Sequence, residues 1–143
     1  MNIAVSACLL GRNCKYDGEN NFNPDVAALK EKHHLIEVCP EMEGGLPCPR
    51  TPCEICRGRV ISKDGRDLTE NYLEGARKCL RKVIEEKADL AILQPRSPSC
   101  GEGKIYDGTF SSRLTNGDGV FASMLKEQGI PVMKPDTFSV VNN

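Results

Sequence analysis

The sequence contains no tryptophan, few aromatic residues and no long hydrophobic run. No stretch approaches the roughly eighteen apolar residues of a transmembrane helix, so we expect a protein that does not span a membrane. The apolar start of the chain, residues 1–11, lacks the basic segment of a secretory signal peptide and is interrupted by Ser6. We therefore interpret it as a buried first strand and expect a cytoplasmic protein.

Charge of one sign is not concentrated anywhere in the chain. The 19 Lys and Arg residues nearly balance the 20 Asp and Glu residues, which gives a net charge of −1. The sequence therefore lacks the basic patch that is typical of proteins that bind a phosphate backbone. A nucleic-acid substrate held by its shape is not excluded by this pattern.

Histidine is scarce, since the only two, His33 and His34, are adjacent and lie away from the predicted strand ends. A metal-free thiol enzyme, for example one with Cys100 as its nucleophile, needs a base such as histidine beside the cysteine. We therefore rank that function last.

Cysteine, in contrast, is abundant, with eight residues in a chain of 143. In a reducing cytoplasm such cysteines more often bind metal or take part in catalysis than form disulfides. Cys79 is an exception because it lies within a helical pattern, and we interpret it as a small buried apolar residue.

Short apolar segments alternate with helical patterns along the chain. Strands are predicted at residues 3–7, 35–38, 60–61, 90–93 and 130–133, and a short strand or turn at 106–112. Helices are predicted to begin near Asn23 and at Thr69, with Thr69 as the N-cap, and a last helix covers 119–128 and ends at Gly129. Residues 44–58 carry three prolines and are predicted to be an irregular loop. This order predicts one α/β domain, residues 1–143, of Rossmann-like type with a mostly parallel sheet flanked by helices.

Three cysteines follow predicted strands of that sheet. Cys8, Cys39 and Cys100 lie at or just beyond the carboxyl ends of their strands. Ligands of open α/β sheets gather at this edge, so we expect the three thiols to converge there. Thiolates suit a soft metal or an iron–sulfur cluster, and three ligands instead of four leave one coordination position open for a substrate.

A second group of cysteines lies within the predicted loop. Cys48, Cys53 and Cys56 have the spacing C-x4-C-x2-C, which matches part of a plant-type ferredoxin site, and Cys14 could supply a fourth ligand. The group is a candidate second metal site for zinc or another iron–sulfur cluster. Cys48 also competes with Cys39 as the middle ligand of the first site. An alternative function is therefore a non-catalytic metal-binding or redox-sensing protein.

Six spaced motifs make the chain similar to a known family, DUF523, whose members are described as thiouracil desulfidases. The motifs are Ser6–Gly11 with Tyr16–Gly18, Val38–Glu41, Gly44–Pro47 with Pro49–Arg50, Ser97–Gly101, Ile105–Ser111 and Gly117–Val120. They cover nearly the whole chain in one order. Family members usually carry other residues in place of Cys48, Cys53 and Cys56.

The resemblance implies a [4Fe–4S] cluster held by Cys8, Cys39 and Cys100, with the fourth iron free to take the sulfur of a thiolated nucleobase. Water would then replace the sulfur without net redox change. We expect Glu41 to act as the general base or as a proton shuttle, and Ser97 and Ser99 to hold the base edge or relay a proton. The expected substrate is a thiolated free base or nucleoside, with thiolated tRNA less favoured by the charge balance. The sequence does not indicate an oligomeric state.

Overall fold

A parallel sheet covered by helices forms the centre of the computed structural model, which describes residues 1–136. The strands are β1 (Asn2–Ser6), β2 (His34–Val38), β3 (Cys53–Cys56), β4 (Arg59–Ser62), β5 (Leu90–Ile92), β6 (Lys104–Tyr106), β7 (Leu114–Asn116) and β8 (Val132–Met133). The helices are α1 (Pro24–Ala27), α2 (Pro40–Glu43), α3 (Thr69–Glu85) and α4 (Val120–Glu127), and 3-10 turns cover Ala7–Leu10 and Ala28–Glu31.

The central sheet has the strand order β2-β1-β5-β8, and every pair of neighbours is parallel. The chain thus passes from β1 to β2 on one side and later to β5 on the other side. The predicted α/β class, with a parallel sheet flanked by helices, is confirmed.

Alternate residues of β1 supply two separate cores, as the period of a strand requires. Ala4 faces the side covered by α3 and α4, where it joins the cluster that contains Ala76 and Phe121. Ile3 and Val5 face the other side and pack in a cluster with Val26 of α1. Both faces of β1 are buried, which explains why its sequence is a continuous apolar run.

Helix α3 is the long amphipathic helix that the sequence predicts, but its capping differs from the prediction. Thr69 is the first helical residue and Leu68 precedes it without a side-chain cap, so the prediction of Thr69 as N-cap is wrong. The carboxylate of Asp67 takes the capping role instead, because its Oδ1 accepts a hydrogen bond from the Thr69 amide at 3.0 Å.

The segment 44–58 is not irregular throughout, because it contains β3. This strand pairs antiparallel with β4. The two residues that connect them, Arg57 and Gly58, have φ values of 50° and 77°, the pattern of a type I′ hairpin turn. A second hairpin pairs β6 with β7. The predicted strand or turn at 106–112 is therefore mostly the loop that joins these two strands.

Within residues 1–136, no helix combines the length and the apolar character needed to cross a membrane.

Candidate active site

Cys8, Cys39 and Cys100 lie next to one another at the carboxyl edge of the parallel sheet. Cys8 follows β1 in a 3-10 turn, Cys39 directly follows β2, and Cys100 lies in the loop after β5. All three are buried, with 9%, 7% and 5% of their surface exposed. Because β2, β1 and β5 are adjacent, their ends bring together thiols that are up to 92 positions apart in sequence.

The pKa values of these buried thiols depend on burial and on one another's charges. Burial raises the pKa of Cys8, a hydrogen bond from Asn21 opposes the rise, and the charge of Cys39 adds to it. Burial also raises the pKa of Cys100 well above its usual range, and charges on Glu41 and Cys8 contribute. The neutral thiol is therefore favoured at Cys8 and Cys100, so bound cations would be needed to hold these two as thiolates.

A fourth cysteine, Cys14, joins this group. It is 3% exposed, and its thiol donates a hydrogen bond that lowers the pKa of Cys39 and raises its own. The sequence places Cys14 as a candidate fourth ligand of the second site, but the structure places it beside Cys39. Its loop returns to the strand end because the amide of Asn21 donates to the Cys8 carbonyl at 2.9 Å.

Glu41, the predicted general base, is held at both carboxylate oxygens. Oε1 accepts a hydrogen bond from the Ser99 hydroxyl at 3.0 Å, and Oε2 lies 3.1 Å from Nη2 of Arg50. The side chain is 16% exposed. Burial raises the pKa of Glu41, and Arg50 and the Ser99 hydroxyl oppose that rise. A carboxylate placed in this way can exchange a proton with a molecule in the adjacent cavity.

Arg50 lies beside the predicted site, where it could bind either an anionic part of a substrate or a carboxylate of the protein. The structure shows the second arrangement. Its side chain is 6% exposed, and Nη2 also donates to the Cys14 carbonyl at 2.8 Å. Because both acceptors belong to the protein, the guanidinium connects the Cys14 loop to Glu41.

Ser97 and Ser99 have different positions beside Cys100. The Ser97 hydroxyl accepts a hydrogen bond from the Cys100 amide at 2.7 Å, which fixes the loop that carries this cysteine. The Ser99 hydroxyl lies 3.0 Å from Glu41 and 3.6 Å from the Cys100 sulfur. Ser99 therefore connects the carboxylate to the thiol group, while Ser97 shapes the loop and lies 3.3 Å from Ser99.

These side chains line a cavity of about 440 Å³. One part of the lining carries carboxylate, hydroxyl and thiol groups, which belong to Glu41, Ser97, Ser99 and Cys100. The aromatic residues of the lining come from the loop after Cys14, helix α3 and the β6–β7 hairpin, and they are Tyr16, Tyr72, Tyr106 and Phe110. The volume is within the range of small-molecule sites, and the mixture of apolar rings with a few polar groups is typical of them.

Cys48, Cys53 and Cys56 are dispersed. The Cys48 thiol donates to the carbonyls of Asn13 and Lys15, both at 3.2 Å. Cys53 is buried and hydrogen-bonded to Tyr72, whereas Cys56 lies at the other end of β3. In the part of the chain that the structure describes, no three thiol, imidazole or carboxylate groups could hold one metal ion. The geometry therefore gives no support to a second mononuclear site formed by these cysteines.

Cys8, Cys39 and Cys100 are likewise not arranged around a single metal ion. An iron–sulfur cluster places each thiolate on a different iron atom and so requires a wider separation. Three buried, convergent thiols without a disulfide are a suitable donor set for such a cluster. The residues present therefore fit an iron–sulfur cluster as donor groups.

Sequence reasoning missed the contributions of Cys14 and of Glu54, a buried residue of β3 that lines the cavity. The spacing of Cys14 after a predicted turn could have indicated a return toward Cys8. Glu54 follows Cys53 in a proline-rich segment. The only sequence signal for it is that an acidic residue stands shortly before the Arg57-Gly58 turn.

Comparisons with known proteins agree with this geometry. The model of the 2-thiouracil desulfurase family matches residues 3–137. The uncharacterized protein YbbK of Bacillus subtilis (strain 168) is 39% identical over 141 residues, which cover 92% of this chain and 93% of that protein. The solved structure of TudS, described as a [4Fe-4S]-dependent thiouracil desulfidase, matches with a TM-score of 0.89 and 36% identity. That match covers 94% of this chain and 91% of TudS. The chain therefore belongs to the 2-thiouracil desulfurase family, as its motifs predict.

Proposed function

We propose that this protein is an iron–sulfur-dependent, non-redox desulfidase that replaces the sulfur of a thiolated pyrimidine with oxygen from water. One water molecule is consumed and one hydrogen sulfide is released, so no electron donor or acceptor is needed. The Glu41–Ser99 pair beside Cys100, in a cavity of small-molecule size, is the observation that carries the proposal.

Cys8, Cys39 and Cys100 are the proposed ligands of a [4Fe–4S] cluster, the cofactor of the similar protein TudS. The bound cluster would supply a thiophilic Lewis acid that polarises a carbon–sulfur bond. Cys39 is favoured over Cys48 because it interacts electrostatically with Cys8, whereas the Cys48 thiol donates to the Asn13 carbonyl. The site would thus occupy the carboxyl edge of a Rossmann-like sheet, where ligands of such folds bind.

Glu41 is the proposed general base. Its Oε1 would accept a proton from the attacking water, directly or through the Ser99 hydroxyl that lies 3.0 Å away. Arg50 holds Oε2, which leaves Oε1 as the oxygen on the side of Ser99. Ser97 would keep the Cys100 loop in place and could contact the substrate edge, because it also lines the cavity.

The proposed substrate is a thiolated free base or nucleoside. The cavity has the size of a small-molecule site, and its aromatic side chains offer surfaces for a planar ring. Thiolated tRNA is less favoured, because the net charge is −1. Eight unpaired cysteines suit a reducing cytoplasm, and the family match over residues 3–137 suits one domain spanning the chain.

Anaerobic purification tests this proposal directly. We expect a brown protein with broad absorption near roughly 400 nm, which releases sulfide and uracil from 2-thiouracil. Cys8→Ala, Cys39→Ala and Cys100→Ala should each lose both properties, whereas the matched control Cys48→Ala should keep them. A metal-free sample that still releases sulfide would rule out the cluster mechanism. Loss of the cluster in Cys48→Ala but not in Cys39→Ala would reassign the middle ligand.

A further inference from the structure

Glu54 is a buried carboxylate that the proposed reaction does not use. It is 9% exposed and lies on β3 at the edge of the cavity. Among residues 1–136 it forms no salt bridge with a lysine or arginine. Its Oε1 instead accepts two backbone hydrogen bonds, from the amides of Gly108 and Phe110, each at 3.0 Å. A buried carboxylate is costly unless it is hydrogen-bonded, so these two amides are its compensation.

The two amides belong to the loop 107–112 between β6 and β7. Phe110 has a φ of 55°, in the left-handed region that residues with a side chain seldom adopt. Gly108 has a φ of 94°, and a Cβ there would lie 2.8 Å from the Ile55 carbonyl and 2.9 Å from Cβ of Cys56. The loop is therefore pressed against β3 in a conformation that requires outside support, and Glu54 supplies it.

This conformation places Phe110 in the lining of the cavity that also contains Glu41, Ser99 and Cys100. Phe110 thus lines the same cavity as the proposed general base, although it lies 69 positions away from Glu41 in sequence. An aromatic face that borders a small-molecule cavity can hold a planar heterocycle by stacking, with a typical gain of up to about tenfold in affinity.

We infer that Glu54 is a positioning residue for substrate recognition: by binding the Gly108 and Phe110 amides, it holds Phe110 as the wall against which a planar heterocycle lies. The identity of that heterocycle, a thiolated pyrimidine, rests on the proposed function. The placement of Phe110 by Glu54 rests only on the contacts described above.

Equilibrium binding of uracil to the anaerobically prepared holoprotein tests the inference without turnover. Phe110→Ala should weaken uracil binding about tenfold, through loss of the ring face. Glu54→Ala should weaken it by a similar factor, and the double variant by about tenfold instead of a hundredfold, because both changes remove the same wall. Glu54→Gln should bind within about threefold of the wild type, since its amide oxygen can accept both bonds. Glu74→Ala and Phe22→Ala, at exposed positions outside the cavity lining, are matched controls.

Hydrogen exchange of the peptide that covers 107–112 gives a second reading. In Glu54→Ala, the amides of this segment should exchange faster than in the wild type. In Glu54→Gln and Phe110→Ala, they should remain as protected from exchange as in the wild type. Should Glu54→Ala bind uracil as tightly as the wild type, or leave exchange of the loop unchanged, the inference is overturned. Additive losses in the double variant would overturn it as well.

The inference and the proposed function fail in different ways. Sulfide release from 2-thiouracil by the wild type, combined with unchanged uracil binding in Glu54→Ala and Phe110→Ala, refutes the inference alone. Absence of sulfide release, combined with uracil binding that depends on both residues, refutes the proposed function and supports the inference.

Discussion

Glu41 is the side chain on which the proposed chemistry depends most directly, and its two oxygens have different partners. Arg50 contacts one oxygen, and the Ser99 hydroxyl contacts the other. Since Arg50 is bound to two protein acceptors, it can orient the carboxylate but has little freedom to bind a substrate anion. These contacts favour the proposed proton transfer by Glu41 and an orienting role for Arg50.

Replacement of Glu41 by glutamine should lower the rate of sulfide release by about 100-fold or more, because an amide cannot accept the proton of water at neutral pH. The measurement is kcat for sulfide release from 2-thiouracil under anaerobic conditions. Absorption near roughly 400 nm should be retained, since the thiol ligands are unchanged.

Glu43→Gln is the matched control, because Glu43 lies in the same short helix α2 but is exposed. It should leave the rate within about twofold of the wild type. A Glu41→Gln variant with a wild-type rate and an intact cluster would exclude Glu41 as the general base.

At the scale of secondary-structure elements, α4 is tied to the loop that follows Cys100. Lys126 in its last turn lies 2.7 Å from Glu102 and 3.0 Å from Asp118. The hydrogen bond to Glu102, aided by Asp118, raises the pKa of Lys126 above its usual value. A raised pKa in the folded state means that ionised Lys126 favours the folded protein.

This linkage predicts a stability loss at alkaline pH. The contribution of Lys126 is fully present below its unfolded pKa, and it declines as the pH rises through the higher pKa of the folded state. The urea midpoint of the wild type should therefore exceed that of Lys126→Gln by a constant amount between about pH 8 and 9. The two midpoints should converge once the pH exceeds the pKa of Lys126 in the folded protein.

Lys126→Arg is the control for that measurement, because a guanidinium stays charged throughout this range. Its advantage over Lys126→Gln should persist in the alkaline range in which the wild type has lost its own advantage. A difference between wild type and Lys126→Gln that does not change with pH would contradict the assignment.

At the scale of the whole molecule, seven of the eight cysteines separate into a convergent set and a dispersed set, and the eighth, Cys79, is buried in α3. Cys14 joins Cys8, Cys39 and Cys100 at the sheet edge. The segment that carries Cys48, Cys53 and Cys56 instead forms a hairpin and a loop, in which these thiols contact different neighbours. The C-x4-C-x2-C spacing is the same whether or not the segment forms a hairpin. Spacing alone therefore could not show whether the three thiols converge on one metal site.

The triple variant Cys48→Ser, Cys53→Ser, Cys56→Ser should retain the metal content of the wild type. We expect about four iron atoms and four sulfide ions per chain in both proteins, and no zinc, because only the sheet-edge thiols converge. Iron, zinc and sulfide analysis of anaerobic samples is the measurement. Loss of a second metal in the triple variant would restore the metal- or redox-sensing alternative.

Much of the fold could be predicted because its signals are local. The apolar runs that became β1 and β5 are buried on both faces, whereas the edge strand β2 buries Ile36 and Val38 and exposes Glu37. The three-to-four-residue repeat of α3 follows from helix geometry. Parallel connection of such strands then predicts that Cys8, Cys39 and Cys100 share one edge. The hairpin β3–β4 was missed because three prolines obscured a strand of only four residues.

The remaining parts of the candidate site depend on contacts between distant segments. Arg50 meets Glu41 across a proline-rich loop, Cys14 returns to Cys39, and Glu54 binds amides more than fifty positions away. Each of these contacts results from loop closure and from the need to pair buried polar groups, neither of which produces a periodic pattern in the sequence.

The sequence by itself determined the α/β class, the strand-end positions of the three cysteines and the family, because these follow from local periodicity and spaced motifs. Only the tertiary structure decided that Cys14 belongs with that group, that Arg50 is occupied by Glu41, and that Cys48, Cys53 and Cys56 are dispersed. The physical reason is that burial and charge pairing act between side chains in space, whatever their separation along the chain.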